Sequence, residues 1–231
     1  MDSKKLLLVV PYRDREEHLS LFVPHMEKWL TAQGIDFNII ISEQSKDGEW
    51  FNKGSLINCG FKEADKGYDY VCIHDIDMLP CCKKTCDYSY SASSIHLASR
   101  VQQFGYKMPG KNYTGGVIMC PVDIYIKANG FSNLYRGWGK EDIDFGFRIR
   151  KAKSKISKRD GKYSSLEHQK QKWHPDKKFD DKMLQSNKQL LKNMISGKHD
   201  FRKDGLSNIK YKILNTEIIS SKTKKITFDI R

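Results

Sequence analysis

Val71-Cys72-Ile73-His74-Asp75-Ile76-Asp77 is an apolar run that ends abruptly in two carboxylates one residue apart. Alternate side chains of a strand share a face, yet Asp75 and Asp77 fall where the apolar residues stop. The stretch therefore reads as a strand end opening into a loop. In open α/β sheets that is where ligands bind. Two hard oxygen donors there suit Mn²⁺ or Mg²⁺, held by one or two carboxylates and completed by substrate phosphates. Asp-x-Asp alone fits a strand cap over a solvated loop as well as it fits a metal site. A second cluster, Gly137-Trp138-Gly139-Lys140-Glu141-Asp142-Ile143-Asp144, sets three carboxylates beside an indole flanked by glycines. The two clusters in order favour a site.

Outward from that strand the pattern is βαβ. Leu6 to Val10 is a short β-branched run, followed by the loop Pro11 to Glu17, where Asp14 and Glu17 approximate a helix-capping pair. Leu19, Phe22, Val23, Met26 and Leu30 recur at helical spacing, and Phe37 to Ile41 is a second strand. Phe51 to Ala64 is helical, and Tyr70 to Ile73 is the third strand. This order predicts a mainly parallel sheet flanked by helices. Ile95 to Ala98 and Gly116 to Met119 read as strands, Pro121 to Ala128 and Ile143 to Ala152 as helices. Lys153 to Asp204 is polar and weakly patterned, which predicts a long and partly mobile segment. Tyr211 to Leu214 and Lys225 to Ile230 read as closing strands. With no repeat and no clear linker, one domain is expected.

A chain of 231 residues is long enough to bury a real core. No stretch approaches the ~18 apolar residues of a membrane span. Leu6 to Val10 is too short for a signal peptide and lacks a cleavage site, so no leader is expected. After Arg150 there are 22 Lys/Arg against 9 Asp/Glu, so the whole net charge of +13 lies in the C-terminal third. Such a face attracts anions, but no nucleic-acid-binding motif accompanies it, and an exposed lysine-rich surface explains most positions. Cys81, Cys82 and Cys86 lack the paired spacing of structural zinc. Six cysteines without a secretory signal point to reduced thiols and a cytoplasmic setting.

Six well-spaced motifs carry a family resemblance. They are Pro11-Tyr12-Arg13-Asp14-Arg15-Glu16-Glu17, Phe51-Asn52-Lys53-Gly54-Ser55-Leu56, His74-Asp75-Ile76-Asp77, Tyr113-Thr114-Gly115-Gly116, Asn129-Gly130-Phe131-Ser132-Asn133 and Gly137-Trp138-Gly139-Lys140-Glu141-Asp142. From about Val9 to Ile230 the chain resembles the catalytic domain of the animal β-1,4-galactosyltransferases. That resemblance implies an inverting glycosyltransferase of the GT-A fold in a single domain. Residues 1–80 would form its nucleotide-binding half, and residues 81–231 its acceptor side, with a mobile loop at about 163–183. No membrane anchor or stem like the family's is expected within this sequence, so a Golgi lumen setting is expected only if these have been removed.

The resemblance also implies roles. Pro11, Tyr12, Arg13 and Arg15 would grip the uridine and diphosphate, guanidinium forks being suited to phosphate oxygens. Phe51 would pack on uracil, and Lys53 stands where the family usually has an arginine. Asp75 and Ile76 would lie against the sugar nucleotide. Asp77 would bind Mn²⁺, with Mg²⁺ as the alternative, and His168 would complete the site, or the nearby His174. Asp142 aligns with the general base, beside Glu141, while Asp144 reads as a helix cap. Trp138 would act as a gate. Tyr113 matches members that use UDP-galactose. On the acceptor side Gly110 replaces a wall tyrosine and Ile143 replaces an aspartate, which implies a glycan or glycoconjugate acceptor other than terminal N-acetylglucosamine. A binder that has lost catalysis is the rival reading, and Asp142 argues against it.

Overall fold

The computed structural model describes residues 4–46, 49–82, 84–108, 110, 113–167 and 177–230. The first half alternates strand and helix: β1 (Lys5–Tyr12), α1 (Glu16–Ala32), β2 (Asp36–Gln44), α2 (Lys53–Lys62) and β3 (Tyr70–His74). Then come β4 (Met78–Pro80), β5 (Ser94–His96), β6 (Arg100–Val101), β7 (Val117–Pro121), α3 (Val122–Lys127) and α4 (Glu141–Lys151). The chain continues through β8 (Ile156–Lys158), β9 (Lys162–Ser165), α5 (Lys177–Ile195), β10 (Lys212–Ile218) and β11 (Thr223–Asp229).

Eight strands form one sheet in the order β10-β11-β2-β1-β3-β7-β5-β8, and β4, β9 and β6 form a second, small sheet. The expected parallel centre is present as β11, β2, β1 and β3. The antiparallel strands β7 and β10 make the whole sheet mixed. After Lys5, β1 is apolar because both its faces are covered. Leu6, Leu8 and Val10 pack with Phe22, Met26 and Leu30 of α1, while Leu7 and Val9 pack with Leu56 and Ile57 of α2 and with Phe145 and Ile149 of α4. Because β1 and β3 are parallel, Tyr12 and His74 end at one edge of the sheet, and Asp75 and Asp77 follow there.

Several local expectations are corrected. The polar stretch after Lys153 contains β8, β9 and the 19-residue α5. Met183, Leu184, Leu190, Leu191 and Met194 recur at helical spacing along α5, but among its described side chains only Asn187 and Met194 are buried. The loop expected at 163–183 holds β9 and the start of α5, while residues 168–176 lie outside the described residues. Asp14 and Glu17 do not cap α1, whose first turn follows Arg15 with no side-chain cap. Asp14 has φ 51° and pairs with Lys46 at 3.0 Å. Asp144 does not cap α4 either. It lies inside the helix, buried, and pairs with Arg148 one turn on.

Arg148 is fully buried, and its guanidinium also reaches Asp204 Oδ2 at 3.0 Å, tying α4 to the chain near residue 204. Burial raises the Asp144 carboxyl even against this cation. Removing one member of such a group strands the others in low dielectric. Arg148→Met should therefore destabilise the fold by about 3–5 kcal/mol. Urea unfolding checks this, and a loss below about 1 kcal/mol would mean that the carboxylates find other partners.

Candidate active site

One ammonium and three carboxylates meet at the sheet edge. Lys53 Nζ lies 2.9 Å from Asp75 Oδ1, 3.0 and 3.2 Å from the two Asp142 oxygens, and 3.9 Å from Glu141 Oε1. Lys53 arrives there as the first residue of α2, a helix whose start is capped by Asn52 accepting from the Ser55 N–H at 3.0 Å. Asp75 is set by the end of β3, where its N–H donates to Gly116 O at 2.9 Å. The neighbouring His74, which burial lowers to about 4 and so keeps neutral, donates from Nδ1 to Asp75 O.

Glu141 and Asp142 open α4. Thr114 Oγ1 donates to the Asp142 carbonyl, and a Cβ added at Gly115 would stand 2.6 Å from Asp142 Oδ2. The carboxylate therefore rests directly on the Gly115 backbone, and only glycine leaves that room. His96 holds the loop from below, donating from Nε2 to Gly115 O at 2.9 Å. The Tyr113 ring stands edge-on to His96 and Phe104.

Burial sets the charges. Burial disfavours the Lys53 ammonium, yet Asp142, Asp75 and Glu141 hold its pKa well above the usual lysine range. Burial lifts Asp75 to about 6 against the lowering pull of Lys53. Burial and then the adjacent Asp142 lift Glu141 to about 8, so Glu141 keeps its proton at neutral pH.

Asp77 stands 3.5 Å from Arg15. Among the described residues no three His, Cys, Asp or Glu side chains are arranged to hold a metal. His168 and His174 lie outside the described residues. The chain leading to His168 is nonetheless fixed at the site: Leu166 N–H donates to Asp77 O at 2.7 Å, and His18 Nε2 donates to Glu167 O at 3.1 Å. A hard carboxylate oxygen and a histidine two residues past that anchor fit Mn²⁺.

The other predicted donor contacts divide. The Arg13 guanidinium lies over the Phe51 ring at 5.4 Å and donates to Glu49 O. Pro11, Tyr12 and Ile76 are buried, and Tyr12 and Ile76 belong to the core, with the Tyr12 hydroxyl accepting from the Arg15 N–H at 3.3 Å. Trp138 is 67% exposed on a loop with left-handed Gly137, Gly139 and Lys140. Asn187 of α5 holds that loop by donating to Arg136 O at 2.9 Å. His96, His18 and Asn187 escaped the sequence reading because each acts through a backbone carbonyl, and Thr114, though within a quoted motif, was given no role for the same reason.

A strand end carrying Asp75 and Asp77, faced by the basic start of α2 on a mixed sheet, fits the GT-A fold that the resemblance implies. Residues 1–89 match the N-terminal region of glycosyl transferase group 7, and residues 95–172 match the N-terminal domain of galactosyltransferase. Beta-1,4-galactosyltransferase 7 of Drosophila melanogaster is 36% identical over 91% of this chain and 63% of its own length. Beta-1,4-galactosyltransferase 3 of Bos taurus is 33% identical over 91% of this chain and 52% of its own length. The chain thus spans little more than half the length of these relatives. The crystal structure of a Drosophila β1,4-galactosyltransferase 7 mutant with manganese, UDP-Gal and xylobiose superposes with TM-score 0.80 at 32% identity. That match covers 99% of this chain and 94% of the other. The chain belongs to the β-1,4-galactosyltransferase family.

Proposed function

We propose that this chain is a metal-dependent inverting glycosyltransferase that moves galactose from UDP-galactose to a sugar hydroxyl of a glycan or glycoconjugate. The observation that carries the reading is the convergence of Asp75, Glu141 and Asp142 on Lys53 beside Asp77. Asp77 and His168 would hold Mn²⁺, which when bound supplies positive charge for the leaving diphosphate. Arg13, Arg15 and Lys53 add to that charge from the protein side. Phe51, already under Arg13, offers a flat face for uracil.

Asp142 takes the proton of the acceptor hydroxyl as its oxygen bonds to the sugar's anomeric carbon. The bond from that carbon to the diphosphate oxygen breaks on the opposite face, and its electron pair leaves with UDP. Protonated Glu141 stays uncharged beside the base. Trp138, exposed on its left-handed turn, is placed to fold over the sugar.

Where the resemblance expects a tyrosine, a Cβ at Gly110 would meet nothing within 4 Å among the described residues. With Ile143 in place of a carboxylate as well, an acceptor other than terminal N-acetylglucosamine fits this chain better. A donor panel tests the reading. UDP-galactose with Mn²⁺ should be the best donor, and Tyr113→Leu should raise use of UDP-N-acetylgalactosamine about tenfold by making room beside C2. Wild-type preference for the acetylated donor would refute the donor assignment. UDP binding that ignores Mn²⁺, with no transfer to any acceptor on a sugar array, would favour a binder that has lost catalysis.

A further inference from the structure

We propose that Lys53 is a positioning residue contested between the base and the donor: without nucleotide its ammonium is clamped by Asp142, and the diphosphate draws it away. The inference rests on the reading above for its catalytic consequence, while its test measures only binding. An ammonium has three N–H donors. Contacts to Asp75 and to both Asp142 oxygens, at 2.9, 3.0 and 3.2 Å, use them all. An anion entering this sheet edge can be met by Lys53 only if one of those contacts opens.

The geometry decides which partner moves. Asp142 is held at both ends, its carbonyl by Thr114 and its carboxylate against the Gly115 backbone. Asp75 is held by Gly116 and His74. Lys53 has a four-carbon stem with rotatable donors, and its backbone sits at the N-terminus of α2, whose dipole favours anions. The lysine therefore swings toward the diphosphate and the carboxylates stay.

Around Asp142 the other neighbours cannot replace the lysine. Asp75 repels it, the protonated Glu141 carries no positive charge, and His96 from β5 is neutral because burial lowers its pKa. Once the ammonium leaves, Asp142 has free lone pairs for an acceptor hydroxyl. The base is thus available only when the donor is in place. A lysine does this where an arginine would not, since a guanidinium fork grips a carboxylate through two bonds.

The test is a double-mutant cycle on calorimetric affinity for UDP with Mn²⁺, with thermal unfolding as the control for folding. Asp142→Asn frees Lys53, so UDP should bind about fivefold tighter, the scale of one partly buried ion pair. In a Lys53→Met background the same change should leave affinity unaltered. Plain repulsion between Asp142 and the diphosphate predicts an equal gain in both backgrounds, and that result overturns the proposal, as does no gain in wild type. Lys53→Arg keeps the charge if Lys53→Met fails to fold. There the clamp predicts a larger gain from Asp142→Asn than with lysine, and an equal or smaller gain refutes it. Near-wild-type turnover of Asp142→Asn together with lysine-dependent tightening would remove the base and uphold the competition.

Discussion

Asp142→Asn folds, binds UDP with Mn²⁺ at least as well as the parent, and turns over about 10²–10⁴-fold more slowly, the usual cost of losing a positioned general base. The substitution keeps the shape of the side chain, and the Thr114 bond goes to the main-chain carbonyl, so the start of α4 is undisturbed. Two neighbouring variants separate chemistry from structure. Asp144→Asn should act on stability, because Asp144 is buried against Arg148 and accepts from Tyr135 Oη at 3.0 Å. Glu141→Gln resembles the protonated acid that burial already imposes, so it should cost far less than Asp142→Asn. Steady-state turnover of the three variants beside calorimetric nucleotide affinity decides the matter. If Asp142→Asn runs near the parental rate, the base lies elsewhere and Glu141 is the next candidate.

Asp77→Ala should abolish transfer, with a loss of at least about 10³-fold, since the metal contributes several kcal/mol of charge stabilisation. Binding should fail together with rate, unlike the Asp142 case, because Asp77 would be a direct ligand. The free Mn²⁺ signal in electron paramagnetic resonance measures this without any turnover. His168→Ala should weaken the same signal by a smaller factor. Full activity of Asp77→Ala in chelator would remove the metal from the reaction, and unchanged Mn²⁺ binding would move the ligand to another carboxylate.

The sequence displayed the parallel core and the strand end that carries Asp75 and Asp77, because β1, β2 and β3 are each apolar runs closed by turn or charged residues. Helix periodicity placed α1 through Phe22, Met26 and Leu30. What stayed hidden was contact across long separations. Nothing in Phe51-Asn52-Lys53 announces that its lysine meets Asp142, 89 positions away. Asp144 looked like a cap because it sits among acids at a helix start, but the left-handed Lys140 begins the helix earlier and turns Asp144 inward. The helix α5 was masked because lysines and other polar residues fill the positions between Met183, Leu184, Leu190, Leu191 and Met194.

The strand order also bears on how the chain is made. β11, synthesised long after β2, lies between β10 and β2, pairing Thr223 to Phe228 with Ile39 to Gln44. While the ribosome is still extending the chain, β2 has β1 on one side and a bare hydrogen-bonding edge on the other. At roughly 5–20 residues per second, about ten seconds or more pass between emergence of β2 and arrival of β11. Through that interval the nascent N-terminal half exposes Ile39, Ile40 and Ile41 on an open strand, a template for pairing with other chains. Chaperone occupancy of this segment, rather than the final stability of the sheet, should therefore set the yield of soluble protein at high expression rates.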